Sequence, residues 1–134
     1  MNIPSTHPPS LDDIAAIAEA ALADMPGELR AYVRGVALRV DEFPDEETLH
    51  AVGLSDPLDL LGLYRGVDLG HKTSGTVFHD VDMIFLYRRP ILDEWCASGE
   101  SLRDLVRNVL IHEVGHHFGL SDDDMHRIEA AAGY

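Results

Sequence analysis

The segment HEVGHHFGLSD, residues 112–122, brings His112, His116, His117, Glu113 and Asp122 into one short stretch of chain. On a helix, residues four apart stand one above the other, with roughly 5–6 Å between their Cβ atoms. His112 and His116 can therefore both reach one metal ion at the roughly 2.0–2.1 Å of a zinc–imidazole bond. A set of two imidazoles and a carboxylate suits borderline Zn²⁺ better than Mg²⁺ or Ca²⁺, which favour all-oxygen sites. Glu113 sits beside the histidines, where it can take a proton from a water at the metal without itself being a ligand. That is the chemistry of metal-assisted hydrolysis, and it predicts one zinc per chain.

Shuffling a chain of this composition yields His-Glu-x-x-His about once in thirty sequences, so the pentapeptide needs its context. The context is a helix. Ser101-Leu102-Arg103-Asp104 has the form of a capping box, and Leu102, Leu105, Val106, Val109 and Leu110 then share one face. At about 100° per residue, His112, Glu113 and His116 continue the same arc, while Ile111, Val114 and Phe118 fall opposite. The pattern predicts a long helix lining a cleft, with its polar cluster turned inward.

Gly119 can adopt the left-handed conformation that ends a helix, letting Leu120 fold back on Val114. The reversal brings Asp122 toward the metal face six residues after His116, as a third ligand, and leaves a fourth position for water. Asp122 has a second reading as an acid at the start of a new helix, because Ser121 to Asp124 is another capping box, with Asp123 and Asp124 as cap residues. His126, one turn beyond Asp122, and Glu129 are the alternative third ligands. His117 is rotated about 100° from His116 and reads as a packing or supporting residue. Tyr64, Tyr87 and Tyr134 could each donate to an oxyanion, and the sequence does not choose among them.

The elements around this helix are legible from their periodicity. Residues 1–10 read as a flexible tail. Ser10 and Asp13 form a capping box for a helix carrying Ile14, Ile17, Ala18, Ala21 and Leu22 on one face and ending near Pro26-Gly27. A short helix at 28–34, a strand at 36–43 and a helix at 45–52 follow. The apolar runs LLGLYRG (60–66) and VDMIFLY (81–87) have the form of buried strands. The intervening stretch 66–80 reads as a loop or weak edge strand beside the cleft that pairs with an extended peptide, with His71 and His79 facing solvent. Helices first, strands next and a long helix last describe an α+β fold, as one domain over residues 11–134.

Ten Lys and Arg residues against 24 Asp and Glu give a formal net charge of −14, a field that repels phosphate backbones and argues against a nucleic-acid partner. The N-terminal residues lack the form of a secretory signal, and no window approaches the roughly 20 apolar residues of a bilayer span. The expectation is a cytoplasmic chain with no membrane partner. Cys96, the single cysteine, cannot form an internal disulfide and reads as a small buried hydrophobe. Nothing in the sequence sets the oligomeric state.

HEVGHHFGLSD resembles the His-Glu-x-x-His-x-x-Gly-x-x-Asp signature of zincin metallopeptidases, a metzincin-like pattern with Asp122 where metzincins usually carry a third histidine. LLGLYRG, VDMIFLYRRPI and HEVGHHFGLSDDDMHRIE are similar to the small bacterial zincin-like group called minimal metalloproteases. The likeness covers about the last 75 residues well and the first helix loosely. It implies a zincin α+β fold with a small mixed sheet on the active-site helix. It also implies zinc on His112, His116 and Asp122, Glu113 as general base, and a peptide or unfolded protein as substrate. Metzincins place a methionine turn under the metal; here only Met125 lies nearby, inside a predicted helix. Two other classes compete. One is a metal-dependent hydrolase of another kind, such as an RNA-processing enzyme, against which the net charge and Glu113 weigh. The other is a regulatory or interaction module with a structural metal, which would need no base.

Overall fold

The first helix begins as its capping box dictates. Ser10 Oγ accepts the Asp13 N–H at 3.0 Å, and the Asp13 carboxylate accepts the Ser10 N–H at 2.8 Å. This helix, α1 (Leu11–Ala23), buries Ile14, Ala18 and Ala21. The computed structural model describes residues 7–66 and 81–131. After α1 come α2 (Gly27–Arg30), a 3-10 turn (Ala31–Val33), β1 (Ala37–Asp41), α3 (Glu46–Val52) and a second 3-10 turn (Pro57–Asp59). Then follow β2 (Gly62–Arg65), β3 (Met83–Tyr87), α4 (Arg88–Ser98), α5 (Leu102–His117) and α6 (Asp122–Ala131).

The three strands form one mixed sheet in the order β1-β3-β2. β1 runs parallel to β3, with Ala37 opposite Met83 and Asp41 opposite Tyr87; β2 runs antiparallel to β3, with Gly62 opposite Leu86 and Arg65 opposite Met83. Over the described residues the architecture is thus α+β, six α-helices and a small mixed sheet. The Tyr87 N–H donates to the Leu61 carbonyl at 3.0 Å, which sets the phase of the ladder. Leu61 and, within β2, Leu63 and Arg65 therefore address β3, while Gly62 and Tyr64 turn their backbone groups toward the other edge. α5 packs along that edge. A Cβ on Gly62 would lie 2.8 Å from Val109 Cγ1, so glycine is what lets strand and helix approach there.

The core lies between α1, the sheet and α5. Ile14, Leu29, Ile84, Leu86, Ile91, Leu110, Ile111, Val114 and Met125 are fully shielded from solvent. Among the described residues no helix is long and apolar enough to cross a membrane.

The Arg-Arg-Pro after β3 marks the end of the strand as expected, and a helix absent from the sequence expectations, α4, starts directly at Arg88 with Pro90 in its first turn. First-turn N–H groups have no intrahelical acceptor, so proline costs nothing there. Cys96 is exposed, not buried. α4 faces the core through Pro90 and Ile91, and five residues of helix carry Cys96 about 140° away from Ile91. Residues 1–6 of the expected tail, the stretch 67–80 with His71 and His79, and Tyr134 lie outside the described residues.

Candidate active site

α5 starts on the predicted cap, the Asp104 N–H donating to Ser101 Oγ at 3.1 Å. Its orientation differs from the wheel prediction. Leu105, Val106, Leu110, Ile111, Val114 and Gly115 are buried, His112 and Glu113 are half-buried and His116 is exposed. Helices and sheet surround α5 on most sides, so Ile111 and Val114, expected opposite the core face, are as buried as Leu110. His116 stands on the open rim of the helix, whereas the leucine arc implied that it pointed inward.

The helix ends as Gly119 requires, in the left-handed region at φ +78°. The Leu120 N–H donates to the Gly115 carbonyl at 2.8 Å and the Gly119 N–H to the His116 carbonyl at 3.1 Å. These are the two bonds of a Schellman end. Leu120 packs on the core cluster that contains Val114. The chain then enters α6 through a second capping box: Asp124 N–H to Ser121 Oγ at 3.0 Å and Ser121 N–H to the Asp124 carboxylate at 3.1 Å. Those hydrogen bonds from Ser121 hold the Asp124 carboxyl below the usual carboxylate range. With Asp124 serving as the cap partner, Asp122 is free to turn back on α5. Its Oδ1 lies 3.2 Å from His116 Nε2 and 3.9 Å from His112 Nδ1.

The other candidates are sorted by the same geometry. The His126 ring centre is 6.5 Å from that of His112, and neither His126 nor Glu129 joins the convergent group. His117 turns away and stacks on Tyr64, ring centres 4.0 Å apart. Tyr64 donates its hydroxyl hydrogen to Asp82 at 2.7 Å, and Tyr87 is 3% exposed, so neither phenol points into open solvent at the site.

Sequence reasoning passed over Gly115. A Cβ at this position would run into the side chain of the fully buried Met125, with Met125 Cγ at 2.8 Å. The methionine of α6 thus lies directly beneath the turn of α5 that carries His112 and His116. A glycine in mid-helix, which costs about 1 kcal/mol against alanine, was the available signal of such an approach.

Residues 33–132, about three-quarters of the chain, match the family model described as zincin-like metallopeptidase. The chain belongs to the zincin-like metallopeptidase family. No curated protein matches it. Membership places this zincin-like protein among hydrolases of the metallopeptidase type, whose substrates are peptides. The donor set present here can be tested against the zinc that such families bind. One atom each from His112, His116 and Asp122 lie within 4.8 Å of one another. A tetrahedral ion with bonds of about 2.0–2.1 Å needs ligand atoms roughly 3.3 Å apart, so the three fit a zinc with little movement of their side chains.

Glu113 lines a cleft of about 310 Å³ between β2 and α5, together with Leu60, Leu61, Gly62, Asn108, Val109 and His112. Burial pushes its carboxyl pKa up; the backbone N–H of Tyr64 and the nearby His116 oppose that rise without cancelling it. A half-buried carboxylate beside three convergent metal donors is an arrangement able to accept a proton from water and hand it on.

Proposed function

We propose that this zincin-like chain is a zinc-dependent peptide hydrolase in which His112, His116 and Asp122 hold the metal and Glu113 is the general base. The convergence of the three donor atoms within 4.8 Å, with Glu113 beside His112 in the cleft and near His116, carries the reading. Zinc bound there supplies Lewis acidity toward the scissile carbonyl and toward the attacking water. Glu113 accepts the proton of that water as it attacks the carbonyl carbon, then returns it to the departing amine nitrogen. Both transfers are served by a carboxyl whose pKa burial raises above the ordinary glutamate value. The cleft excludes part of the solvent around that exchange and seats the peptide against β2 and α5.

A structural metal site usually draws four protein ligands, whereas the convergent group among the described residues supplies three and leaves room for reactants. The experiment compares wild type with Glu113→Gln at equal zinc content, using an unstructured protein as substrate and sequencing the new N-termini by mass spectrometry. Wild type is expected to cleave and Glu113→Gln to lose nearly all turnover while keeping fold and metal. Equal cleavage by the two would refute the role of Glu113.

A further inference from the structure

Tyr64 addresses α5 twice. Its backbone N–H, turned toward α5 by the phase of the ladder, faces the Glu113 side of that helix, because Gly62 and Gly66 on either side of Tyr64 approach Val109 and His117. Its ring lies flat against His117, one helical turn beyond Glu113, with centres 4.0 Å apart and planes 20° apart. Two more contacts fix the ring. Phe118 meets it edge-on at 5.6 Å, and its hydroxyl donates to Asp82 Oδ2, just ahead of β3, at 2.7 Å. Gly66 completes the arrangement, because a Cβ there would lie 2.7–2.8 Å from the His117 ring.

We infer that His117, Tyr64 and Asp82 form a brace that positions the Glu113 carboxylate, an assignment that rests on the hydrolase reading above. The strand itself gives the reason a brace is needed. β2 is four residues long and Tyr64 is next to its last residue. Its N–H faces away from β3, so the β2–β3 ladder does not fix that peptide group. Residues near a strand end fray unless something ties them down. Here the side chain does so, and through it the donor that orients Glu113. His117 is exposed, so solvent exclusion does not hold its ring in place; the stack on Tyr64 does. These are positioning residues, acting on the reaction through Glu113.

His117→Ala removes the stack and His117→Phe restores it. Amide hydrogen exchange in the metal-free protein reads the brace without any turnover. Exchange at Tyr64 should quicken about ten-fold in His117→Ala and return toward wild type in His117→Phe, while Leu63, whose N–H addresses β3, is unaffected. On the zinc-loaded enzyme, kcat should fall about ten-fold in His117→Ala at unchanged KM and zinc affinity, the lower end of what supporting residues around metal sites show. His117→Phe should recover it. The brace is overturned if Tyr64 exchange does not respond to His117→Ala, or if kcat falls only in step with lost zinc or lost folded protein. Absence of peptide cleavage by wild type would refute the hydrolase reading instead, and the exchange experiment would still decide whether His117 holds Tyr64.

Discussion

Replacing Gly115 by alanine tests the packing that joins the two helices of the site. The added methyl falls on the side chain of Met125, whose Cγ would be 2.8 Å away and whose residue is fully buried. Overpacking of this kind costs about 1–3 kcal/mol. Alanine in place of glycine within a helix recovers roughly 0.5–1 kcal/mol. The net loss is then on the order of 1 kcal/mol, a fall in Tm of roughly 3–5 °C for a chain of this size. α6 carries Asp122, so pushing it off α5 should also weaken zinc binding, by about ten-fold. Thermal unfolding of the metal-free protein and a zinc titration measure the two effects. In the double variant Gly115→Ala with Met125→Ala, the combined loss should be smaller than the sum of the single losses, since the deleted side chain makes room for the methyl. A Gly115→Ala protein that melts at or above wild type and binds zinc as tightly would refute this packing.

Two further outcomes follow from the site. Asp122→Ala should weaken zinc affinity far beyond the 10–100-fold typical of supporting residues, whereas His126→Ala and Glu129→Ala should stay within it; a calorimetric titration in which Asp122→Ala binds normally and either other variant does not would make Asp122 only an acid at the start of α6. In the metal-free protein, Glu113→Gln should be more stable than wild type at pH 7. Burial raises the folded-state pKa of Glu113 above its ordinary value of 4.5, so the folded chain holds that proton more tightly, and stability is lost as pH rises through the folded pKa. The advantage of glutamine should therefore shrink as the pH is lowered toward 4.5, as urea unfolding at several pH values would show. A difference that does not change with pH would contradict the assignment.

Much of this arrangement was legible because it follows local rules. Caps at Ser10, Asp45, Ser101 and Ser121 place four helix starts, and Gly119 ends α5 where only a residue tolerant of positive φ does so without strain. The approach of Asp122 to His116 could be anticipated from that reversal alone. What escaped depended on long-range packing. The parallel pairing of β1 with β3 joins segments that no local pattern relates. The inward turn assigned to the polar cluster holds for the half-buried His112 and Glu113, which line the cleft, and fails for the exposed His116, because a helical wheel finds one apolar face while α5 is enclosed on several sides. Tyr64 read as a buried aromatic or an oxyanion donor; its contribution to the site is a backbone N–H, which no residue type advertises. Met125, which lay inside a predicted helix and so not on a turn, nevertheless reaches the underside of the turn that carries His112 and His116 because Gly115 leaves it the space.

Metal stoichiometry tests most directly whether His112, His116 and Asp122 hold zinc. Wild type and His116→Ala would be equilibrated with zinc, dialysed against buffer of low fixed free zinc and assayed by elemental analysis. Wild type should retain about one zinc per chain and His116→Ala, lacking one of three ligands, far less. Wild type that retains no transition metal, or His116→Ala that retains as much as wild type, would contradict that reading.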